Sequence, residues 1–199
     1  MNTLRKAVVI GAASIAAVAL AAPAYAATPV KKAGTSTTYS GNVQGALSGT
    51  ASVTTTLGGG TCNASTLLGT VTSGGALTIN TASFTDCGDT TVTAQSLPWT
   101  GGSFDNTTAV VGGREGTVTI GGFRVRAVVS VFSITCIYAG TVTADGNNNA
   151  NLDVTINQSL AKQSGSSFLC PGTANVTAAY TIRGETTANS GTFDQALAL

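Results

Sequence analysis

The four cysteines are the residues of this chain whose type and spacing point most directly to chemistry. They are Cys62, Cys87, Cys136 and Cys170, and none of them belongs to a Cys-x-x-Cys pair. In an exported chain an even number of cysteines predicts disulfides, here two, and four cysteines allow three pairings. The chain contains no histidine, so a zinc site would need thiolates or carboxylates alone. We therefore expect the cysteines to be structural.

The sequence offers few candidate groups for acid–base or nucleophilic catalysis. The absence of histidine excludes every Ser-His-Asp and Cys-His arrangement, and oxidised cysteines cannot act as nucleophiles. Asp86 and Asp89 flank Cys87 and could form a carboxylate pair of the kind that glycosidases use. The residues between them form a turn, however, where aspartates commonly accept hydrogen bonds from backbone amides. We predict a protein that is not an enzyme and uses no cofactor.

Residues 145–153 form the best candidate for a metal site. Their oxygen-bearing side chains stand at alternate positions, as they do in calcium-binding loops. The pattern departs from that of an EF-hand, because Ala150 replaces the loop glycine and Ile156 replaces the bidentate glutamate. The alternative is a hairpin turn rich in Asn and Gly. The candidate calcium ligands are Asp145, Asn147, Asn149 and Asp153.

The single tryptophan, Trp99, lies in the sequence LPWTG at residues 97–101. These letters match the signal that wall-anchoring sortases cut, but that signal stands near a C-terminus, and this chain continues to residue 199. We predict instead that a strand ends at Pro98 and that Trp99 covers the edge of the core. A second interpretation is that Trp99 borders an apolar cleft that binds a small ligand.

The elements that position these residues are predicted to be β-strands. Short runs of Val, Thr and Ile alternate in polarity and are broken about every ten residues by Gly, Asn, Asp or Ser. The most apolar stretch, 123–138, predicts one central or bent long strand, with Arg124 and Arg126 near a rim where they reach water or pair with Glu115. The clearest other strands are predicted at 50–57, 76–81, 90–97, 117–120, 151–156 and 174–182.

An internal repeat relates the two halves of the chain. Each half reads Cys, then Gly-Thr-Val-Thr, then a Phe shortly before a second Cys, then Val-Thr-Ala. The repeat favours the pairs Cys62–Cys87 and Cys136–Cys170, each worth about 3–4 kcal/mol by loop entropy. The second copy has no acidic residue beside its cysteine, so Asp86 and Asp89 are predicted to be turn residues.

The repeat and the strand pattern together predict one all-β domain over residues 37–199. We expect a β-sandwich or flattened barrel of roughly 10–13 short strands, built of two similar cysteine-framed units. The alternative is a chain of two domains that divides near residues 101–102 or 112–113, although each half would be small for a core of its own.

The first residues predict export. Arg5 and Lys6 precede an uncharged run over 7–22, and Ala24-Tyr25-Ala26 supplies small residues for cleavage after residue 26. The run is short for a membrane span. We predict a signal peptide at 1–26, a flexible mature N-terminus at 27–36, no transmembrane anchor in the mature chain, and secretion.

Charge is sparse in this chain. Charged residues make up 9% of it, against roughly 25% in ordinary globular proteins. Removal of Arg5 and Lys6 would leave a mature net charge of about −1, and the remaining scattered cations form no patch for nucleic acid. Threonine and glycine are abundant instead, which predicts a hydroxyl-rich extracellular surface capable of self-association or contact with the cell envelope.

The cysteine frame resembles that of small secreted four-cysteine proteins common in actinobacteria. The resemblance rests on Phe84-x-x-Cys87, Leu97-Pro98-Trp99, Thr135-Cys136 and Thr177-Ala178-Ala179-Tyr180, in that order along the chain. It implies a secreted β fold and no particular activity. A fainter likeness is to secreted actinomycete apoproteins that carry enediyne chromophores, and another is to periplasmic pilin subunits.

Three functions agree with these observations. The first is a non-enzymatic extracellular β module that is surface-associated or belongs to a matrix. The second is a carrier that holds a small apolar ligand in a cleft. The third is an envelope pore or channel, for which aromatic girdles are expected at both membrane interfaces and are not supplied by the dispersed aromatic residues of this chain.

Overall fold

A computed structural model describes residues 27–107 and 114–199, so the predicted signal peptide lies outside the described residues. Runs of β-branched residues with alternating burial form the strands of this part of the chain, and they pair antiparallel throughout. One 3-10 turn, Ser130–Phe132, accompanies them. The strands are β1 Lys31–Lys32, β2 Gly41–Leu47, β3 Ala51–Thr55, β4 Gly58–Cys62, β5 Ala64–Val71, β6 Ala76–Thr85, β7 Thr90–Ala94, β8 Trp99–Asp105, β9 Gly116–Val129, β10 Ile134–Asn148, β11 Leu152–Lys162, β12 Thr173–Gly184 and β13 Gln195–Ala198.

Eight of these strands close into a barrel. They pair in the order β12-β11-β10-β9-β8-β6-β5-β2, and β2 returns to pair with β12, where Gly45 lies opposite Ile182. Three shorter strands extend the wall toward one end. Strand β3 pairs with β12 beside the part that pairs with β2, and β4 pairs with β3. Strand β7 pairs with β9 beside the part that pairs with β8. The predicted all-β fold with two disulfides is confirmed in its barrel form, and strands from both halves of the chain share one closed sheet.

Because neighbouring strands are antiparallel, their connections alternate between the two ends of the barrel. The connections at 56–57, 86–89, 130–133 and 163–172 lie at the end that carries both disulfides. We call it the cysteine end. The opposite end holds the β5–β6 and β10–β11 connections together with the segments before β2 and after β12. We call it the terminal end.

Apolar side chains fill the inside of the barrel. Inward-facing residues of the wall strands are buried, and Phe104 and Leu152 are fully so. The cavity that remains among them is only about 30 Å³ and is lined by side chains such as Leu77, Val118 and Ile156. An eight-stranded barrel is just wide enough for side chains to fill it, and the Val, Ile and Leu of this sequence do so.

The two ends of the described chain close the terminal end. Strand β1 pairs with β13, with Lys31 opposite Ala198, and β13 pairs in turn with β12. Val30 and Leu197 are completely buried as a result. The segment predicted to be flexible, 27–36, thus contains a strand whose partner stands more than 160 residues further along the chain, and its flexibility stays a prediction.

Residues 123–138 form a hairpin rather than the single strand that was predicted. Strand β9 ends at Val129, the 3-10 turn follows, and Ser133 takes a left-handed conformation with φ 49° before β10 begins. The run is apolar on both sides of the turn because each strand contributes one buried face. Ser130 and Ser133 are the only polar residues at the turn, so the usual Gly or Asn signal is missing.

The arginines of this hairpin have other partners than Glu115. The Arg124 Nε donates to Gln95 Oε1 at 3.3 Å, and an Arg126 Nη donates to Thr135 Oγ1 at 3.3 Å. Glu115 accepts the backbone N–H of Asn148 at the terminal end. The predicted pairing was wrong because the hairpin turn carries Arg126 toward the cysteine end, away from Glu115.

Candidate functional site

The two disulfides tie connections of the cysteine end to the barrel wall. Cys62, at the end of β4, is bonded to Cys87 in the β6–β7 connection, and Cys136 in β10 is bonded to Cys170 in the β11–β12 connection. These are the pairs that the internal repeat predicted, and they leave no free cysteine among the described residues. Two disulfides indicate an oxidising environment.

The connection at 163–172 is held firmly against β10, yet it presents two large apolar side chains to solvent. Phe168 is 88% exposed and Leu169 is 47% exposed, although the residues on either side of them are hydrogen-bonded. The bracing bonds are Ser167 N to Thr135 O (2.8 Å), Ile137 N to Ser166 Oγ (2.8 Å), Gln163 N to Ile137 O (2.8 Å) and Lys162 Nζ to Cys170 O (2.9 Å).

Two neighbouring connections present apolar side chains in the same way. Phe132, in the 3-10 turn between β9 and β10, is 72% exposed, and Leu57, at the tip of the β3–β4 hairpin, is 75% exposed. The hairpin tip is fixed by the Thr55 hydroxyl, which donates to the Gly58 carbonyl oxygen at 2.7 Å and accepts the Leu57 N–H at 3.3 Å. Each tip is thus a tight turn.

These four side chains form one feature, which we call the apolar rim: Leu57, Phe132, Phe168 and Leu169. They are the large hydrophobic residues that are exposed in the described part of the chain, and all of them lie at the cysteine end. Their connections follow one another around the barrel, because the β3–β4 hairpin pairs with β12, β12 follows β11, and β10 pairs with both β11 and β9. The apolar rim therefore covers consecutive connections rather than scattered positions.

The fourth connection of this end, at 86–89, carries the two aspartates that the sequence offered as a carboxylate pair. The Asn63 side-chain amide donates to the Asp86 carboxylate at 2.8 Å, and the Asn63 backbone N–H donates to the Asp86 carbonyl oxygen at 3.0 Å. Asp86 has φ 54°, and the Asp89 carbonyl oxygen accepts the Ser130 N–H at 2.9 Å. Both residues form turn contacts, as the repeat predicted.

The predicted calcium ligands stand at the other end of the barrel, around the β10–β11 hairpin. Asp145 forms a salt bridge with Arg114 at 2.6 Å, while Asp153 accepts hydrogen bonds from Thr181 Oγ1 at 2.7 Å and Asn149 Nδ2 at 2.9 Å. Asn147 lies directly across from Asp153. In the described residues, no three His, Cys, Asp or Glu side chains gather where they could hold a metal ion. The calcium site stays a prediction. The carboxylates of Asp145 and Asp153 accept hydrogen bonds from other side chains of the protein.

Trp99 lies inside the barrel at the start of β8. It is 1% exposed, its ring centroid is 4.7 Å from that of Phe123, and its indole N–H donates to the Gln95 carbonyl oxygen at 2.8 Å. It does not line the small interior cavity. These contacts make Trp99 a core residue, and the predicted ligand contact at this side chain remains a prediction.

Comparison with protein-family models, with curated proteins and with solved structures finds no match to this chain. No helix within 27–107 or 114–199 has the length and apolarity that a membrane span requires.

Sequence reasoning missed the apolar rim. Phe132 was assigned to a strand face and Phe168 to a repeated cysteine element, while Leu57 was placed at a strand end. A signal was present at two of the three tips, since Leu57 is followed by Gly-Gly-Gly and Phe168-Leu169 stands between Gly-Ser-Ser and Cys-Pro-Gly. A bulky apolar residue within a run of turn residues has no strand face to cover.

Proposed function

We propose that this protein is a secreted, non-enzymatic β-barrel that binds a partner surface through its cysteine end. The observation that carries the proposal is the apolar rim. Four large hydrophobic side chains project from consecutive connections at one end, in a chain whose most abundant polar residue is threonine. Clustered exposed apolar residues of this kind mark interaction sites.

The bracing of the rim supports a binding role. Hydrogen bonds to β10 and the Cys136–Cys170 disulfide fix the backbone on both sides of Phe168. A side chain that is held in place before binding loses less conformational entropy on contact, so its burial contributes more to affinity. Aromatic side chains also supply a large contact area for few rotatable bonds.

The filled interior favours the rim over the inside of the barrel as the binding surface. Small-molecule sites usually enclose roughly 300–1,000 Å³, whereas the cavity here is about 30 Å³. A channel would need a water-filled lumen, and apolar side chains occupy this one. An outer groove of about 330 Å³ beside Arg183 and Phe193 is largely open to solvent, and it is the candidate site for the alternative function of carrying a small ligand.

Secretion rests on two features. The predicted signal at 1–26 would export the chain, and the two disulfides are stable in an oxidising compartment. The low content of charged residues suits a protein that works outside the cell.

The test is binding of the exported chain to envelope fragments of bacteria, measured by co-sedimentation, together with its mass in solution by light scattering. We expect association with the envelope or with a second copy, and loss of that association in the triple variant L57S/F132S/F168S. The control T141S/T143S/T155S changes exposed residues of the outer wall and should bind normally. A monomer that never associates, or equal association of both variants, would overturn the proposal.

A further inference from the structure

The apolar rim has the form of a set of separate tips rather than a flat face. Leu57, Phe132 and Phe168 stand on three different connections around the circumference of a closed barrel. All three connections leave the wall in the same direction, along the barrel axis, because each joins two strands at the cysteine end. Such tips can enter a soft surface together, whereas a rigid partner would need a matching hollow for each one.

The exposed area of the rim is small for a protein–protein contact. With about 150–250 Å² for an aromatic side chain and the exposed fractions of these four residues, the rim offers roughly 500 Å² of apolar surface. A stable protein interface buries about 800 Å² on each partner. Acyl chains need no such complementary area, because they rearrange around whatever enters them.

Charge is distributed unevenly along the barrel axis. The connections of the cysteine end contain only Asp86 and Asp89 as charged residues. Three cations stand on the strands that lead to this end, and each donates a hydrogen bond within the protein: Arg124 to Gln95, Arg126 to Thr135 and Lys162 to the Cys170 carbonyl oxygen. The terminal end carries most of the other charged groups that the structure describes: Lys31, Lys32, Asp105, Arg114, Glu115, Asp145, Asp153, Arg183, Glu185 and Asp194. Most charged groups therefore lie at the terminal end, whereas the large exposed apolar side chains lie at the cysteine end.

We infer that the cysteine end inserts its apolar rim into the surface of a lipid bilayer. In this arrangement the barrel stands upright on the membrane, Leu57, Phe132 and Phe168 enter the boundary between headgroups and acyl chains, and the charged terminal end stays in water. Interfacial binding of this kind scales with the apolar area that is buried and with attraction to anionic lipids. Attraction to anionic lipids contributes little here, because the cations near the cysteine end are few and already donate hydrogen bonds within the protein. The inference rests on the proposed function, since it names the partner of the same surface.

The first experiment measures partition of the exported chain onto phosphatidylcholine vesicles by flotation. We expect binding that changes less than about threefold when phosphatidylglycerol is added or when salt is raised tenfold, because screening does not act on apolar insertion. Phe168→Ser should weaken partition about tenfold, and L57S/F132S/F168S at least a hundredfold. The control T141S/T143S/T155S should partition as the native protein does.

The second experiment locates the inserted end. Phe168→Trp should be quenched by phosphatidylcholine brominated in its acyl chains, and Thr155→Trp, on the outer wall toward the terminal end, should not. The native Trp99 is an internal control, because it is buried in the barrel and should stay unquenched. Near-ultraviolet circular dichroism of each variant shows whether the barrel has kept its fold.

The outcomes separate this inference from the proposed function. Vesicle binding that the triple variant retains, or that requires anionic lipid, would overturn insertion of the rim. A chain that ignores vesicles but self-associates through the rim would also overturn it, while leaving the proposed function standing with a second copy as the partner. A chain that binds neither vesicles, envelope fragments nor itself would refute both.

Discussion

At the scale of single residues, the polar pair Tyr180–Ser65 tests how tightly the barrel interior is built. The two hydroxyl oxygens are 2.9 Å apart, and both residues are buried among apolar side chains. Tyr180→Phe leaves the Ser65 hydroxyl buried without this partner, which should lower the free energy of unfolding by about 1–3 kcal/mol. Urea denaturation measures the loss.

A double-mutant cycle with Ser65→Ala supplies the control for this pair. The double variant should lose less than the sum of the two single variants, because the second substitution removes the group that the first left unpaired. Thr155→Val, on the exposed outer wall, should change stability by no more than about 0.5 kcal/mol. Additive losses in the cycle would show that the hydrogen bond contributes nothing.

The buried phenols also predict how stability depends on alkaline pH. Burial raises the pKa of Tyr180 above its ordinary value of 10.0, with the Ser65 hydrogen bond opposing the shift, and burial likewise raises the pKa of Tyr39 and Tyr138. A raised pKa means that the native state keeps its proton at a pH where the unfolded chain has lost it. Stability is then complete below pH 10 and falls as the pH rises further.

Thermal unfolding between pH 8 and pH 12 measures this dependence. The melting temperature should stay level up to about pH 10 and then decline. The decline should be shallower in Tyr180→Phe, because this variant lacks one titrating phenol. Its melting temperature at pH 8 should also be lower than that of the native protein. A melting temperature that rises above pH 10, or an unchanged slope in the variant, would contradict the predicted direction.

At the scale of elements, the docking of the N-terminal segment depends on one glycine in the β5–β6 connection. Gly75 has φ +85°, and a Cβ atom on it would stand 1.9 Å from the Thr28 carbonyl oxygen. Gly49 has nearly the same backbone angle, φ +82°, but no atom within 4 Å of that position. Both Ala variants strain the backbone by about 1–2 kcal/mol, and only Gly75→Ala also displaces the N-terminal segment.

We expect Gly75→Ala to be less stable than Gly49→Ala by about 2 kcal/mol or more. Hydrogen exchange should show faster opening of residues 28–39 in Gly75→Ala alone, since Thr28 N donates to Phe104 O and Tyr39 N to Val30 O in the native barrel. Equal stability and equal exchange in the two variants would mean that the N-terminal segment is not held by this contact.

The same elements show how far the sequence alone could lead. Alternation of polar and apolar residues in the sequence predicted strands at 76–81, within β6, and at 174–182, within β12. The alternation has period 2 because a barrel wall buries one face of each strand. The repeat predicted the disulfides, because each pair closes a local unit. The turn at 130–133 was missed because its conformation depends on Ser133 rather than on glycine, and β1 was missed because its partner β13 is remote.

The apolar rim could not be derived from local pattern, and the reason is geometric. Phe132 follows a run in which valines on both faces precede it, so nothing in its neighbourhood distinguishes it from a buried strand residue. Its exposure follows from the direction in which the hairpin leaves the closed barrel. The turn role of Asp86 was predictable, since the repeated unit preserves the cysteine and the turn but not the acidic residue.

At the scale of the whole molecule, closure of the sheet separates the wall and interior, which stabilise the fold, from the two ends, which differ in their exposed groups. The wall and the filled interior provide stability, and the two ends differ in chemistry because all hairpins of one direction emerge together. The terminal end is closed by the chain's own segments, with Val30 and Leu197 fully buried. The cysteine end is braced by disulfides and hydrogen bonds and leaves Leu57, Phe132 and Phe168 exposed, and for this reason we propose that the partner binds there and not in the interior.

The role of the interior as a solid core is tested by filling it. Gly45 in β2 lines the small cavity, and a Cβ atom on it would meet Leu67 and Tyr180 at 3.7 Å, which is ordinary van der Waals contact. Gly45→Ala should therefore raise the free energy of unfolding by about 1 kcal/mol, through added apolar burial and a less flexible unfolded chain. Gly69→Ala is the matched control in the neighbouring strand β5, because its Cβ would stand 2.2 Å from the Thr78 carbonyl oxygen and should destabilise the barrel. Were Gly45→Ala to lower stability as Gly69→Ala does, the added methyl group would be crowding Leu67 and Tyr180, and the interior would already be packed without usable space.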